Sequence, residues 1–68
     1  MVDEIVKKFR EDLKKRLEIY IDRATSVDDI MNLLFAITEL KRKDFLTKEM
    51  FEELKEKSRK KVREIVYG

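Results

Sequence analysis

The side chains of this sequence that carry a hydroxyl group are Thr25, Ser26, Thr38, Thr47, Ser58, Tyr20 and Tyr67. A hydroxyl becomes reactive when a neighbouring base removes its proton, and histidine is the base of the catalytic triads. The sequence contains no histidine and no cysteine, so it provides neither a serine triad nor a thiolate nucleophile. We therefore predict that the protein is not an enzyme.

The sequence also offers little for a metal ion or a phosphate group. Asp28 and Asp29 are adjacent carboxylates, but neighbouring helical positions point in different directions, and Ca²⁺ or Mg²⁺ needs further oxygen ligands. The only glycine is Gly68, so no glycine-rich loop is present to hold a phosphate. We predict that the two aspartates stabilise a helix N-terminus, and that the protein uses no metal and no cofactor.

A basic segment is the remaining candidate for a binding site. The segment KEKSRKKVR holds one acid and six basic residues, Lys55, Lys57, Arg59, Lys60, Lys61 and Arg63. One interpretation is binding to nucleic-acid phosphates. The other is a solvated, weakly packed helical turn in which the small Ser58 lets a neighbouring helix approach. Because the net charge is only +2, we expect any nucleic-acid binding to be weak at physiological salt.

Helix-capping residues and apolar periodicity predict the elements that carry these groups. The chain has no proline, so helix ends must be inferred from caps and spacing. Apolar residues recur at steps of three and four from about Val2 to Ala24, which predicts a first helix. Ser26 is a good N-cap, with Asp29 at the third helical position of a capping-box variant. This capping pattern predicts a second helix from about Val27 to Lys43.

A third helix is predicted from about Lys48 to Tyr67. Thr47 is its expected N-cap, and Leu46 and Phe51 have the spacing of a hydrophobic staple. Three helices joined by short turns predict an all-α, up-down-up three-helix bundle that forms one domain over residues 1–68. The expected core consists of Phe9, Leu13, Leu17, Ile30, Leu34, Ile37, Phe51, Leu54 and Ile65.

The charged face of the first helix carries acid–base pairs at i,i+4, namely Glu4–Lys8, Glu11–Lys15 and Asp12–Arg16. Arg16 and Arg23 lie at the edge of the apolar stripe. Their aliphatic stems could cover the core while the guanidinium groups reach water. The alternative is an ion pair at a contact between subunits.

The second helix has more apolar surface than one neighbour can cover. IMNLLFAITEL contains no charge from Ile30 to Thr38, and Val27, Met31, Phe35 and Thr38 form a second apolar face. Either both outer helices cover this width, or another copy of the chain does. We expect a symmetric dimer, since a small core alone gives limited stability. The candidate contact residues are Ile19, Arg23, Met31 and Phe35.

Residues 30–57 resemble the SHOCT family of short helical hairpins. The hallmark of the family is a turn of the type Gly-Ile-Leu-Thr followed by acidic residues and Phe. In ITELKRKDFLTKEMFEELKEK the matching positions are Phe45, Leu46, Thr47, Glu49 and Phe51. The sequence departs from the pattern at two positions, with Asp44 in place of the Gly and Met50 in place of an acid. The resemblance implies an oligomerisation or interaction module without catalysis.

Composition sets the remaining expectations. Charged residues make up 47% of the chain, and the sequence has no Gln and only one Asn, which resembles hyperthermophile proteins. A designed bundle is the competing origin, although its turns would usually contain Gly. The longest uncharged run is far shorter than the roughly 20 residues of a membrane span, so we expect a cytoplasmic protein. We predict an accessory subunit that binds another protein or itself, with a nucleic-acid-associated factor as the alternative.

Overall fold

The computed structural model describes residues 2–68, apart from the side chain of Val2, and contains three helices in chain order. They are α1 (Val2–Arg23), α2 (Val27–Arg42) and α3 (Lys48–Tyr67), and no strand occurs among the described residues. The predicted all-α three-helix bundle is confirmed. The predicted C-terminal ends of the first two helices each lie one residue too far along the chain.

Ser26 caps the N-terminus of α2, and Asp29 in the first turn bonds back to Thr25. The hydroxyl of Ser26 accepts a hydrogen bond from the backbone N–H of Asp29 at 3.2 Å, which confirms the predicted N-cap. The Asp29 carboxylate accepts from the backbone N–H of Thr25 at 3.3 Å and from its hydroxyl at 3.4 Å. A capping box would direct this carboxylate to the N–H of Ser26, so the reciprocal bond is displaced by one residue.

The connection from α2 to α3 is a Schellman motif built on an unusual residue. The Phe45 N–H donates to the Leu40 carbonyl at 2.9 Å, and the Asp44 N–H donates to the Lys41 carbonyl at 3.1 Å. These are the two hydrogen bonds that define the motif. Asp44 has a φ of 64°, the left-handed conformation that glycine usually supplies. The chain therefore makes this turn without glycine.

Thr47 caps the N-terminus of α3, as predicted. The Thr47 hydroxyl accepts a hydrogen bond from the backbone N–H of Met50 at 3.2 Å. Leu46, immediately before the cap, is buried, and Phe51 is half-buried against the same core. Both residues of the predicted staple therefore belong to the core.

The three helices lie side by side in up-down-up order. Lys14 of α1 bonds to Glu53 of α3, and the Lys61 ammonium donates to the Asp22 carbonyl at 2.9 Å. Residue numbers increase in the same direction along both helices, so α1 and α3 are parallel and α2 runs against them. The bundle measures 45 × 18 × 15 Å.

The core follows the middle of this bundle. The predicted residues Leu17, Ile30, Ile37 and Leu54 are buried, while Leu13, Leu34, Phe51 and Ile65 are half-buried against them. The prediction omitted four residues that the structure buries, namely Ile21, Ala24, Leu46 and Ser58.

The predicted core position of Phe9 is wrong, because its side chain is 53% exposed. Helix α1 has 22 residues and α2 only 16, which at 1.5 Å per residue is about 33 Å against 24 Å. The first turns of α1 therefore extend to the level of the α2–α3 turn. The ring of Phe9 packs there edge-on against Phe45, with 5.9 Å between the ring centres.

The expectation of a solvated turn around Ser58 is also wrong. Ser58 is fully buried, and its hydroxyl donates to the Leu54 carbonyl one turn earlier at 2.8 Å. This bond satisfies the hydroxyl within its own helix. The small side chain is enclosed within the bundle, and the predicted close approach of a neighbouring helix stays a prediction.

Candidate interaction surfaces

A row of exposed residues runs along the side of α1 that faces away from the core. We name it the α1 edge, and it consists of Ile5, Phe9, Asp12, Arg16, Ile19 and Arg23. The spacings alternate between four and three, the heptad spacing of residues that contact a partner helix in a coiled coil. The prediction from the sequence placed Phe9 in the core and therefore missed this second row. The regular spacing was the signal that could have identified it.

The N-terminal part of the α1 edge is apolar and continuous with the α2–α3 turn. Ile5 is 71% exposed, and it lines a shallow groove together with Val6, Phe9 and Phe45. Single exposed apolar residues are ordinary on a protein surface, but contiguous ones indicate a contact site. The edge-on contact of Phe9 with Phe45 makes this patch contiguous.

The middle of the α1 edge carries opposite charges. Phe9, Asp12, Leu13 and Arg16 line one shallow depression. The predicted intrahelical pair of Asp12 with Arg16 is not among the ion pairs within 4 Å that the described residues form. The other two predicted i,i+4 pairs of this helix are likewise missing from that set. The carboxylate and the guanidinium of the α1 edge are therefore both available to a partner.

A second exposed surface lies on α2, which we name the α2 face. It contains Met31, 47% exposed, and Phe35, 69% exposed, with Val27 and Thr38 also exposed beside them. The interpretation that the outer helices cover both apolar faces of α2 is wrong, because only the face of Ile30 and its neighbours is covered. The alternative, contact with another copy, stays a prediction.

The four predicted contact residues divide between these two surfaces. Ile19, 48% exposed, and Arg23 both lie on the α1 edge, and Arg23 also borders Leu33 of α2. Met31 and Leu33 are two positions apart on the helix, which turns their side chains about 160° away from each other. Met31 and Phe35 therefore face away from α1, and the four residues do not form one continuous surface.

The basic segment of α3 divides between the contact with α1 and an exposed side of the helix. Successive helical residues point about 100° apart, so its six charges are distributed around the helix. The Lys57 ammonium lies 3.3 Å from the Asp22 carboxylate, and Lys61 bonds to the carbonyl of the same residue. Arg59 pairs with Glu56 at 3.6 Å. Several of the charges are thus engaged in holding α3 to α1 or in pairs along α3.

The other three basic residues of this segment differ in exposure, and Lys60 and Arg63, three residues apart, lie on the same side of α3. The Lys55 ammonium lies over the ring of Phe51, 5.4 Å from its centre, whereas Lys60 and Arg63 are exposed. Glu56 and Glu64 lie four residues from Lys60 on either side, the spacing of helical ion pairs. Glu56 pairs instead with Arg59 at 3.6 Å, and the Glu64 carboxylate lies 3.9 Å from the Lys61 ammonium.

One titratable group of the described residues has a shifted pKa. The pKa of Lys14 is raised, chiefly because its ammonium donates a hydrogen bond to the Glu53 carboxylate, and the negative charges of Glu53 and Glu18 add to the effect. Partial burial opposes this shift. The pair joins α1 to α3 and has the electrostatics of a structural contact.

Residues 2–68 contain no group of three or more acidic side chains arranged to hold a metal ion. None of the helices in this range is long and apolar enough to cross a bilayer. Comparison with protein-family models, with curated proteins and with solved structures gave no match to this chain. The resemblance of residues 30–57 to SHOCT hairpins therefore stays a prediction.

Proposed function

We propose that this chain is a non-catalytic protein–protein interaction module that self-associates and serves as an accessory subunit of a larger assembly. The observation that carries the proposal is the apolar part of its surface. Ile5, Phe9 and Phe45 are each more than 40% exposed and line one groove, and Met31 and Phe35 add a second exposed pair. Water contact with this much contiguous apolar surface is unfavourable, and association removes it.

The size of the core supports the same proposal. A 68-residue chain buries a small core that yields only a few kcal/mol of net stability. Binding that occurs only in the folded state adds to that stability by mass action. In a module of this size, the contact with the partner therefore both stabilises the fold and performs the function.

The hairpin resemblance is consistent with this function. The SHOCT pattern has Gly at the position of Asp44, and Asp44 here has the positive φ that Gly adopts most easily. The turn thus has the backbone conformation for which the family residue is suited. What the resemblance implies, oligomerisation without catalysis, agrees with the proposal.

Sedimentation equilibrium from low-micromolar to high-micromolar concentration tests the proposal. We expect a reversible monomer–dimer equilibrium with a dissociation constant in the micromolar range. Substitutions Phe9→Glu on the α1 edge and Phe35→Glu on the α2 face should identify the contact. Tyr67→Glu is the matched control, because Tyr67 is 85% exposed and lies outside both surfaces. A protein that is monomeric at every concentration would contradict the proposal.

A further inference from the structure

We infer that the α1 edge is the contact between two copies of this chain, which pack α1 against α1 in antiparallel orientation around a two-fold axis. The inference rests on the proposed self-association and adds its surface, orientation and register. It follows from the order of residue types along the α1 edge. When a second copy of the edge is laid against the first in the opposite direction, the acidic residue of each copy faces a basic one, and Phe9 faces Ile19 of the partner subunit.

The charges fix the register. In an antiparallel pair, Asp12 can face Arg16 of the partner subunit while Arg16 faces Asp12 of the partner subunit. The two-fold axis repeats each contact, so a single opposite-charge pair in the sequence yields two ion pairs in the dimer. In a parallel pair Asp12 would face its own copy and Arg16 would face its own copy. Like charges in contact oppose that arrangement.

The same register matches the apolar residues. With Asp12 opposite Arg16, Phe9 faces Ile19 of the partner subunit on each side of the axis. Both side chains are about half exposed in the monomer, so each loses apolar surface to water in the dimer. Ile5 then faces Arg23 of the partner subunit, whose aliphatic stem can cover it while the guanidinium reaches water.

The flanks of the contact are also defined. On the flank towards α2, half-buried Leu13 approaches Leu13 of the partner subunit near the axis. On the flank towards α3, Lys15 approaches its own copy, which is the one like-charge contact of the arrangement. Removing that charge should strengthen the dimer, so Lys15→Gln is expected to lower the dissociation constant.

The area of the contact predicts a weak dimer. The span from Ile5 to Arg23 is about 27 Å of helix at 1.5 Å per residue. One helix pair of this length gives an interface at the low end of specific complexes, below about 1,200 Å² in total. Micromolar affinity agrees with such an area, and a concentration-dependent monomer–dimer equilibrium is expected.

Charge reversal tests the register. Asp12→Arg alone places arginines at both positions 12 and 16, and Arg16→Asp alone places aspartates at both. Each variant should weaken self-association by at least about tenfold, because two attractive pairs become repulsive. A one-to-one mixture of the two variants should restore dimers, as should the double variant carrying both substitutions. Both residues are exposed, and circular dichroism verifies that the variants fold.

The controls separate this inference from the proposed function. Arg63→Asp makes the same substitution at an exposed position of α3 and should leave the dimer unchanged. A wild type that dimerises, with charge-reversal variants that dimerise equally well, would overturn the α1 contact and leave the proposed function standing. Loss of that dimer in Phe35→Glu would then assign it to the α2 face. A wild type that never dimerises would contradict both.

Cross-linking tests the orientation independently. The chain has no cysteine, so Ile5→Cys and Arg23→Cys each introduce a single thiol. Under oxidising conditions the mixture should yield a disulfide between the two unlike variants, because the antiparallel arrangement brings these ends together. Efficient cross-linking of either variant with itself would indicate a parallel pair and overturn the inference.

Discussion

The left-handed backbone of Asp44 allows a quantitative test of how the α2–α3 turn is stabilised. At a φ of 64° a residue with a Cβ pays roughly 1–2 kcal/mol relative to glycine. Aspartate tolerates this conformation better than most residues, and glycine loses about 0.5–1 kcal/mol more entropy on folding. With the cost for aspartate near the lower end of that range, Asp44→Gly should stabilise the protein by up to about 0.5 kcal/mol from the backbone alone.

The charge of Asp44 adds a separate contribution. The side chain follows the C-terminus of α2, where the helix dipole is negative, and a negative charge there costs about 0.3–1 kcal/mol. The ion pairs of the described residues do not include this carboxylate. Asp44→Asn removes the charge and keeps a side chain suited to the left-handed region. It should stabilise the protein by about 0.3–0.5 kcal/mol, less than Asp44→Gly.

Asp44→Ala completes the series. Alanine removes the charge but lacks a side chain that favours a positive φ, so the net effect should be a loss of about 0.5 kcal/mol. The carbonyl of residue 44, which accepts a hydrogen bond from Arg10 at 2.8 Å, is present in every variant. The expected order of stability is Gly, then Asn, then Asp, then Ala.

Urea and thermal unfolding at a protein concentration well below the dimer dissociation constant measure this order without a contribution from association. For a domain of this size, 1 kcal/mol corresponds to a shift of about 4–8 °C in Tm. High salt should remove the gain of Asp44→Asn, which is electrostatic, and preserve the further gain of Asp44→Gly. An Asp44→Gly variant no more stable than the wild type, or an Asp44→Ala variant above it, would refute the reasoning.

Four further predictions concern the core, the ion pair and the basic segment. Ile37→Ala should destabilise the protein by about 2–5 kcal/mol in urea unfolding, because Ile37 is fully buried; a loss below about 1 kcal/mol would place it outside the core. Ser58→Ala should change stability by less than about 0.5 kcal/mol, whereas Ser58→Val should cost about 1–3 kcal/mol by overpacking. The bond to Glu53 raises the pKa of Lys14 above 10.5, so this contact stabilises the fold fully below pH 10.5 and is lost as the pH rises through the raised pKa. The difference in stability between wild type and Glu53→Gln should therefore shrink as the pH rises above 10.5, and a constant difference would contradict the assignment. Fluorescence anisotropy with labelled DNA should show binding by residues 55–63 only at low salt and none at about 0.15 M, and sub-micromolar affinity at that salt would favour the nucleic-acid alternative.

The sequence by itself determined the local structure of this protein. Ser26 and Thr47 are caps because a short hydroxyl side chain satisfies N–H groups that the first helical turn leaves unpaired. This information lies within a few residues of each helix start, so no knowledge of the distant chain is needed. The three-four spacing of apolar residues likewise indicated which elements are helices and that they pack into a bundle.

The tertiary structure alone decided which apolar residues are buried. Apolar spacing assigned Phe9 and Ile21 to the same stripe of the first helix, yet Ile21 is fully buried and Phe9 is half exposed. The two positions are twelve residues apart and point about 120° from each other around α1, and the neighbouring helices lie on the side of Ile21. Sequence spacing gives the direction of a side chain around its own helix, but burial depends on which other helix lies in that direction. The same reasoning explains why Ser58 is in the core and why the basic segment divides among several surfaces.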